Sequence, residues 1–205
     1  MTSRDPRVDA VLTFWLGAPG APLADQQARW FRADPELDAQ LRARFGHLVA
    51  AGARGELDGW RATAPGALAL VILLDQFSRN IYRGSARAFA QDARALAVAR
   101  AAIAAGHDRQ VDLAVRPFFY LPFEHAEDRA VQRESVELFR RLRDDGVLAG
   151  APTEVTGWLD AALDYAHRHA AIIERFGRYP HRNAVVGRAS TPAELEFLKQ
   201  PGSSF

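Results

Sequence analysis

The stretch PGALALVILLDQFSRNIYR, Pro65 to Arg83, decides the fold of this chain. Its first half, Ala67-Leu68-Ala69-Leu70-Val71-Ile72-Leu73-Leu74, is apolar on every side, so a helix formed there must be surrounded by other helices. It is too short to span a membrane, which takes about 20 apolar residues. A crown of polar groups follows without a break in the pattern: Asp75, Gln76, Ser78, Arg79, Asn80, Tyr82 and Arg83. Polar groups at the end of a buried helix need partners, because an unpaired buried charge or amide costs free energy or shifts its pKa. The crown is therefore where a site is expected.

Working outward, helix signals recur on both sides of this stretch. Asp5-Pro6 and Asp34-Pro35 each pair an N-cap with a proline suited to the first helical turn. The first opens a helix through Val8, Val11, Leu12, Trp15 and Leu16, followed by a loop over Ala18–Pro22 and a segment from Asp25 to Arg32 that ends in Trp30-Phe31. The second opens a helix through Leu37, Leu41, Phe45 and Leu48, closed by Gly52 and Gly55, with Leu57 and Trp60 in the connection to the central helix. Beyond Gly84, Ser85 is expected to cap a long alanine-rich helix with the stripe Phe89, Ala93, Leu96, Ala97 and Ile103. Pro117 and Pro122 break the aromatic stretch that follows into short, bent helical pieces. A helix from about Glu127 to Asp144, ending at Gly146, precedes one capped by Thr153 and stopped by Gly177. Thr191-Pro192-Ala193-Glu194 has the form of a capping box. No run alternates with period two, so the class is all-α, with short connections favouring stacked antiparallel helical hairpins around the buried central helix.

The chain has 205 residues, enough for one well-filled domain. Hydrophobic residues at 48% and charged residues at 25% are ordinary globular values, and a formal charge of +1 gives no bulk electrostatic reason to expect a nucleic-acid partner. With no cysteine, disulfides, thiolate metal sites and cysteine nucleophiles are excluded. No basic-then-apolar leader and no run of membrane length is legible, so a cytoplasmic protein without a membrane partner is expected.

Three constellations carry the candidate chemistry. In the crown, helical spacing sets Asp75 beside Arg79 and Gln76 beside Asn80, with Arg83 further along, so two polar rows leave one helix. Arg79 offers a guanidinium fork for a carboxylate or phosphate; the plainer alternative is an intrahelical ion pair that ties loops to the core. In Phe118-Phe119-Tyr120-Leu121-Pro122-Phe123-Glu124-His125-Ala126-Glu127, an aromatic wall runs into acid, imidazole and acid. His125 is the histidine best placed for proton transfer, with a helix start supported by acids as the alternative. In Phe176-Gly177-Arg178-Tyr179-Pro180-His181-Arg182-Asn183, a stiffened loop after a helix stop suits an anionic ligand stacked on Tyr179 and held by Arg178 or Arg182; C-capping by the same arginines competes. His167 and His169, two apart on a helix, point to different faces and lack the four-residue spacing of paired metal ligands. No HExxH, EF-hand, P-loop or dinucleotide pattern is present, so no metal or other cofactor is expected from motifs; a set drawn across the fold from Asp75, Glu124, His125 and His181 stays open.

At these same residues the chain resembles a bacterial family of uncharacterised proteins, domain of unknown function 924. The resemblance rests on Val11–Gly17, on Leu74–Asn80, on Tyr120–His125, and on Phe176–Asn183 with Thr191–Glu194. It implies a tetratricopeptide-like all-α fold and no particular reaction. Ala126 stands where a serine is common in the family.

The leading expectation is a small-molecule site where the three segments converge. Asp75, His125 and His181 are the acid–base candidates, and Gln76, Arg79, Asn80, Tyr120, Glu124, Arg178, Tyr179, Arg182 and Asn183 are the ligand-binding candidates. The expectation fails if the segments lie on different sides of the fold or if their polar groups are all consumed by one another. The alternative is a tetratricopeptide-like module that binds a peptide or protein in an open groove while the motifs act as staples. An RNA-associated protein is a weaker third reading. A homodimer contact through Trp30-Phe31 stays open.

Overall fold

The computed structural model describes residues 5–18, 23–30 and 33–204, and every regular element among them is helical. Phe31, Arg32 and most of the loop expected after Leu16 lie outside the described residues. The helices are α1 (Pro6–Leu16), α2 (Leu23–Trp30), α3 (Pro35–Ala53), α4 (Ala64–Ile72), α5 (Ser78–Ile81), α6 (Asp92–Ala104), α7 (Pro117–Glu124), α8 (Arg129–Leu148), α9 (Thr153–Phe176) and α10 (Pro192–Phe197).

Helix α4 is the centre. Residues from Ala67 to Leu74 are each no more than 2% exposed, enclosed by α1, α6, α7 and the short 3-10 turn at Asp58–Ala62. Each fully buried Leu or Ile here contributes about 1.5–3 kcal/mol relative to exposure, so no polar substitution is tolerable along this helix. Its start fits closely: the Thr63 hydroxyl accepts from the Gly66 amide, and a Cβ on Gly66 would lie 2.2 Å from the Trp60 carbonyl. That approach excludes any side chain at position 66. Trp60 is itself buried, with its indole N–H on Asp5, the N-cap of α1.

Between α4 and α5 the helix widens into a π turn over Leu73–Phe77. The Ser78 hydroxyl fills part of the gap by donating to the Leu73 carbonyl, five residues back, at 3.3 Å. Such turns bulge one residue out of the α ladder and recur at functional sites. This one carries Asp75 and Gln76.

Asp5, Asp34 and the Thr191–Glu194 box cap their helices as the sequence predicts. Gly177, at φ 69°, takes the left-handed conformation that ends α9. Two expectations are corrected. The helix expected from Ser85 begins only at Asp92, after a 3-10 turn at Ala86–Ala88, and its buried face is Ala95, Val98, Ala99 and Ala102. In a segment of near-uniform alanines the side chains hardly mark a face; close packing against α4 selects the small ones. Likewise α8 runs through Gly146 to Leu148, because Leu159 of α9 packs where a Cβ of residue 146 would stand, 2.7 Å away. Trp30 is a core residue, buried between Phe118 and Trp158 with its indole N–H on the Trp15 carbonyl. No described helix is long and apolar enough to cross a membrane.

Candidate functional site

The π turn aims Asp75 at the C-terminal end of α7, and the two meet through His125. Asp75 Oδ1 lies 2.7 Å from His125 Nδ1, and its other oxygen accepts from Gln76 Nε2 at 2.6 Å. Arg79, one helical turn on, reaches Asp75 at 3.3 Å and Asp92, the first residue of α6, at 2.9 Å. Burial works to raise the Asp75 pKa, but His125, the Arg79 charge and the hydrogen bonds from His125 and Gln76 outweigh it and hold the carboxyl below its ordinary range. An ionised Asp75 only accepts, so His125 carries its proton on Nδ1 and leaves Nε2 as the basic nitrogen. Arg79 Nε, 3.3 Å from the same Nδ1, is then an electrostatic neighbour of the ring. Burial first, and Arg79 second, lower the His125 pKa and keep the ring neutral.

Glu124 precedes His125 at the end of α7 and behaves oppositely. Burial, reinforced by the Asp75 charge, pushes its pKa up to about 8. Its side chain is 4% exposed, and Oε2 has no hydrogen-bond partner. Oε1 lies 3.2 Å from His169 Nδ1. His169 enters from α9, where its Nδ1 also contacts the Tyr165 carbonyl at 2.9 Å, and burial lowers its pKa to about 3. One ligand atom from each of Glu124, His125 and His169 can be chosen so that all three lie within 4.8 Å of one another.

The loop after α9 closes the group. Tyr179 is fully buried; its hydroxyl donates to the Glu124 carbonyl and accepts from Gln132 Nε2 at 3.0 Å, while its amide donates to Glu127. His181 stacks against it at 5.6 Å between ring centres, and burial followed by the Arg182 and Arg79 charges lowers its pKa to about 4. Arg182 bonds Asp92 at 3.0 Å, and its guanidinium lies between the rings of Phe89 and Tyr179 at 4.4 and 4.5 Å. Arg79 also lies over Phe89, so two guanidiniums share one ring and one carboxylate. Arg182 Nε is buried without an acceptor. Solvent reaches the rim, where Arg79, Asp92 and His125 side chains are 18%, 17% and 14% exposed.

The three sequence segments thus meet, and Asp75, Gln76, Arg79, Glu124, His125, Tyr179, His181 and Arg182 stand together. Four expected ligand residues serve elsewhere. Asn80 bonds the Gln76 carbonyl and Arg83, which in turn pairs with Asp38 of α3. The Tyr120 hydroxyl donates to Asp108 at 2.7 Å. Arg178 forms a two-pronged pair with Glu194, and Asn183 donates to Ser190. These contacts fasten segments together, since each polar group faces a protein partner. A depression of about 630 Å³ lined by Arg42, Tyr82, Arg83 and Arg87 contains no residue of the cluster.

Phe89, Asp92 and His169 were not among the predicted site residues. His169 had a legible signal. It falls on the apolar stripe Leu159, Ala162, Ala166, Ile173 of α9, and a histidine on a buried face needs a polar partner from another element. Asp92 carries no such signal, because an acid at a helix start is ordinary.

The profile of a bacterial protein family of unknown function, DUF924, matches residues 11–202. A solved protein of unknown function from Agrobacterium tumefaciens, ATU0120, is similar at 38% identity with a TM-score of 0.80, over 95% of this chain and 97% of that one. No curated protein matches significantly.

Proposed function

We propose that this chain, which belongs to the bacterial DUF924 family of unknown function, binds a small anionic ligand at the Arg79–Arg182 face and moves a proton on it through His125 and Glu124. The observation that carries this is the pair of carboxylates flanking His125: Asp75 held ionised, Glu124 held protonated. Environments that drive two nearby carboxyls apart assign them different roles. Asp75 orients the imidazole through Nδ1 and stabilises it once protonated; His125 Nε2 is the base; Glu124, neutral at physiological pH, is the acid. The anion enters at the rim, competes with Asp92 for the two guanidiniums, and meets the Arg182 Nε donor that has no acceptor. Phe89 and Tyr179 hold the Arg182 plane fixed, which favours a planar carboxylate over a diffuse partner.

The test is a thermal-shift screen of small carboxylates and phosphates on metal-free protein and on its Arg182→Lys and His125→Gln variants. Binding to the native state raises its melting temperature. A ligand should stabilise the wild type, stabilise Arg182→Lys at least about tenfold less tightly (a loss near 1.4 kcal/mol), and still bind His125→Gln while turnover is lost. If no compound shifts the wild type, or Arg182→Lys responds equally, the site is a structural network.

A further inference from the structure

We infer that Glu124, His125 and His169 form a binding site for one divalent first-row transition cation. Three observations lead there. The first is the donor set: one carboxylate and two imidazoles, whose donor atoms can be chosen to lie within 4.8 Å of one another. It is the ligand composition that suits zinc and its first-row neighbours, with positions left open for water or substrate. The second is Glu124 Oε2, an oxygen of a side chain 4% exposed that has no hydrogen-bond partner. Buried carboxylate oxygens are almost always bonded, and one that is not calls for an explanation such as a proton or an ion. The third is the support around the rings. His125 Nδ1 is held by the Asp75 carboxylate at 2.7 Å and His169 Nδ1 by the Tyr165 carbonyl at 2.9 Å. Carboxylate and carbonyl acceptors of this kind are the outer partners that orient metal-binding imidazoles.

The fit requires a modest contraction. Bonds of about 2.0–2.2 Å bring ligand atoms closer together than 4.8 Å, so a bound cation draws the end of α7 toward α9. Glu124 and His125 are adjacent at a helix end, where such an adjustment disturbs little. The cation takes the place of the proton on Glu124. The inference goes beyond the acid–base reading but shares its side chains, so the two are separated by what each test measures: ligand binding by metal-free protein for one, cation binding without ligand for the other.

The experiment uses the full chain stripped with chelator and dialysed. Co2+ is titrated in and followed by visible absorption, and Zn2+ by competition with a chromogenic chelator. One equivalent should bind the wild type, with a Co2+ spectrum of low coordination number. Glu124→Gln and His169→Gln should each weaken binding by more than about 100-fold, and Asp75→Asn, which removes only the support of His125, by about 10–100-fold. Far-UV circular dichroism checks that each variant is folded. In the wild type, independent of any variant, bound Co2+ should shift or broaden the imidazole NMR signals of His125 and His169 and leave those of His47 and His167 unchanged. The inference is overturned if the wild type binds no stoichiometric cation, if Glu124→Gln and His169→Gln bind as tightly as the wild type, or if the perturbed signals belong to other histidines.

Discussion

Replacing Glu124 by Gln in metal-free protein should change how stability depends on pH while barely changing stability at pH 6.5. The buried carboxyl titrates at about 8 instead of its ordinary 4.5, because the folded protein holds it out of water beside the Asp75 charge. Between those values the unfolded chain has released the proton and the folded chain has kept it. The folded state therefore binds more protons, and stability falls as pH rises. At 1.36 kcal/mol for each pH unit, the full effect from 4.5 to about 8 is on the order of 5 kcal/mol. Between pH 6.5 and 8 the part expected is about 1.5–2 kcal/mol, since the slope halves as the folded carboxyl begins to ionise. Gln mimics the neutral acid in shape and cannot ionise, so its variant lacks that loss. The histidines titrate in both proteins and cancel in the comparison. Urea unfolding at pH 6.5 and pH 8 measures it: the wild type should lose about 1.5–2 kcal/mol relative to Glu124→Gln across this interval. A stability difference between the two proteins that stays constant to within about 0.5 kcal/mol would refute the assignment of Glu124 as a neutral buried acid.

His169 gives the opposite sign: its pKa is lowered from 6.5 to about 3, so the stability it contributes is complete above 6.5 and is lost as pH falls. Wild-type protein should lose about 1.5 kcal/mol more than His169→Gln between pH 6.5 and 5 in urea titrations. Arg178→Met should cost about 2 kcal/mol, the scale of a charged hydrogen-bonded pair, because it leaves the Glu194 carboxylate buried, yet ligand affinity in the thermal-shift assay should be unaffected. Gly66→Ala should cost about 3 kcal/mol or more by chemical denaturation, since the added carbon meets backbone at Trp60. Tyr179→Phe should cost about 1 kcal/mol and raise hydrogen exchange in the loop around Pro180–Arg182, whose anchor to the Glu124 carbonyl it removes.

Much of this was written locally and could be read locally. An apolar run with no polar face, Ala67 to Leu74, admits only a central helix, and Asp-Pro pairs mark helix starts by stereochemistry alone. The convergence of Asp75, Glu124, His125 and the Tyr179–Arg182 loop followed from the need of each to find partners. What was not legible depends on distance in space. Which of several arginines faces Asp92 and which faces Glu194 is settled by how α6 and α10 are placed, and Arg178 and Arg182 look alike in sequence. His169 was set aside because its spacing was compared with a single-helix metal motif, whereas its partners come from another helix. The alanine-rich α6 concealed its face because alanine is compatible with either side.

The π turn at Leu73–Phe77 also fixes a phase. An α-helix advances about 100° per residue, so the one-residue excess sets the azimuth of everything that follows relative to Ala67–Ile72. A chain with one residue removed from this turn would have the same hydrophobic helix and the same composition, but Arg79 would swing by a quarter-turn or more from Asp75 and Asp92, and Asn80 from Arg83 and Asp38. Length at this point is as specific as identity: the chain tolerates a changed letter in the turn more readily than a missing one.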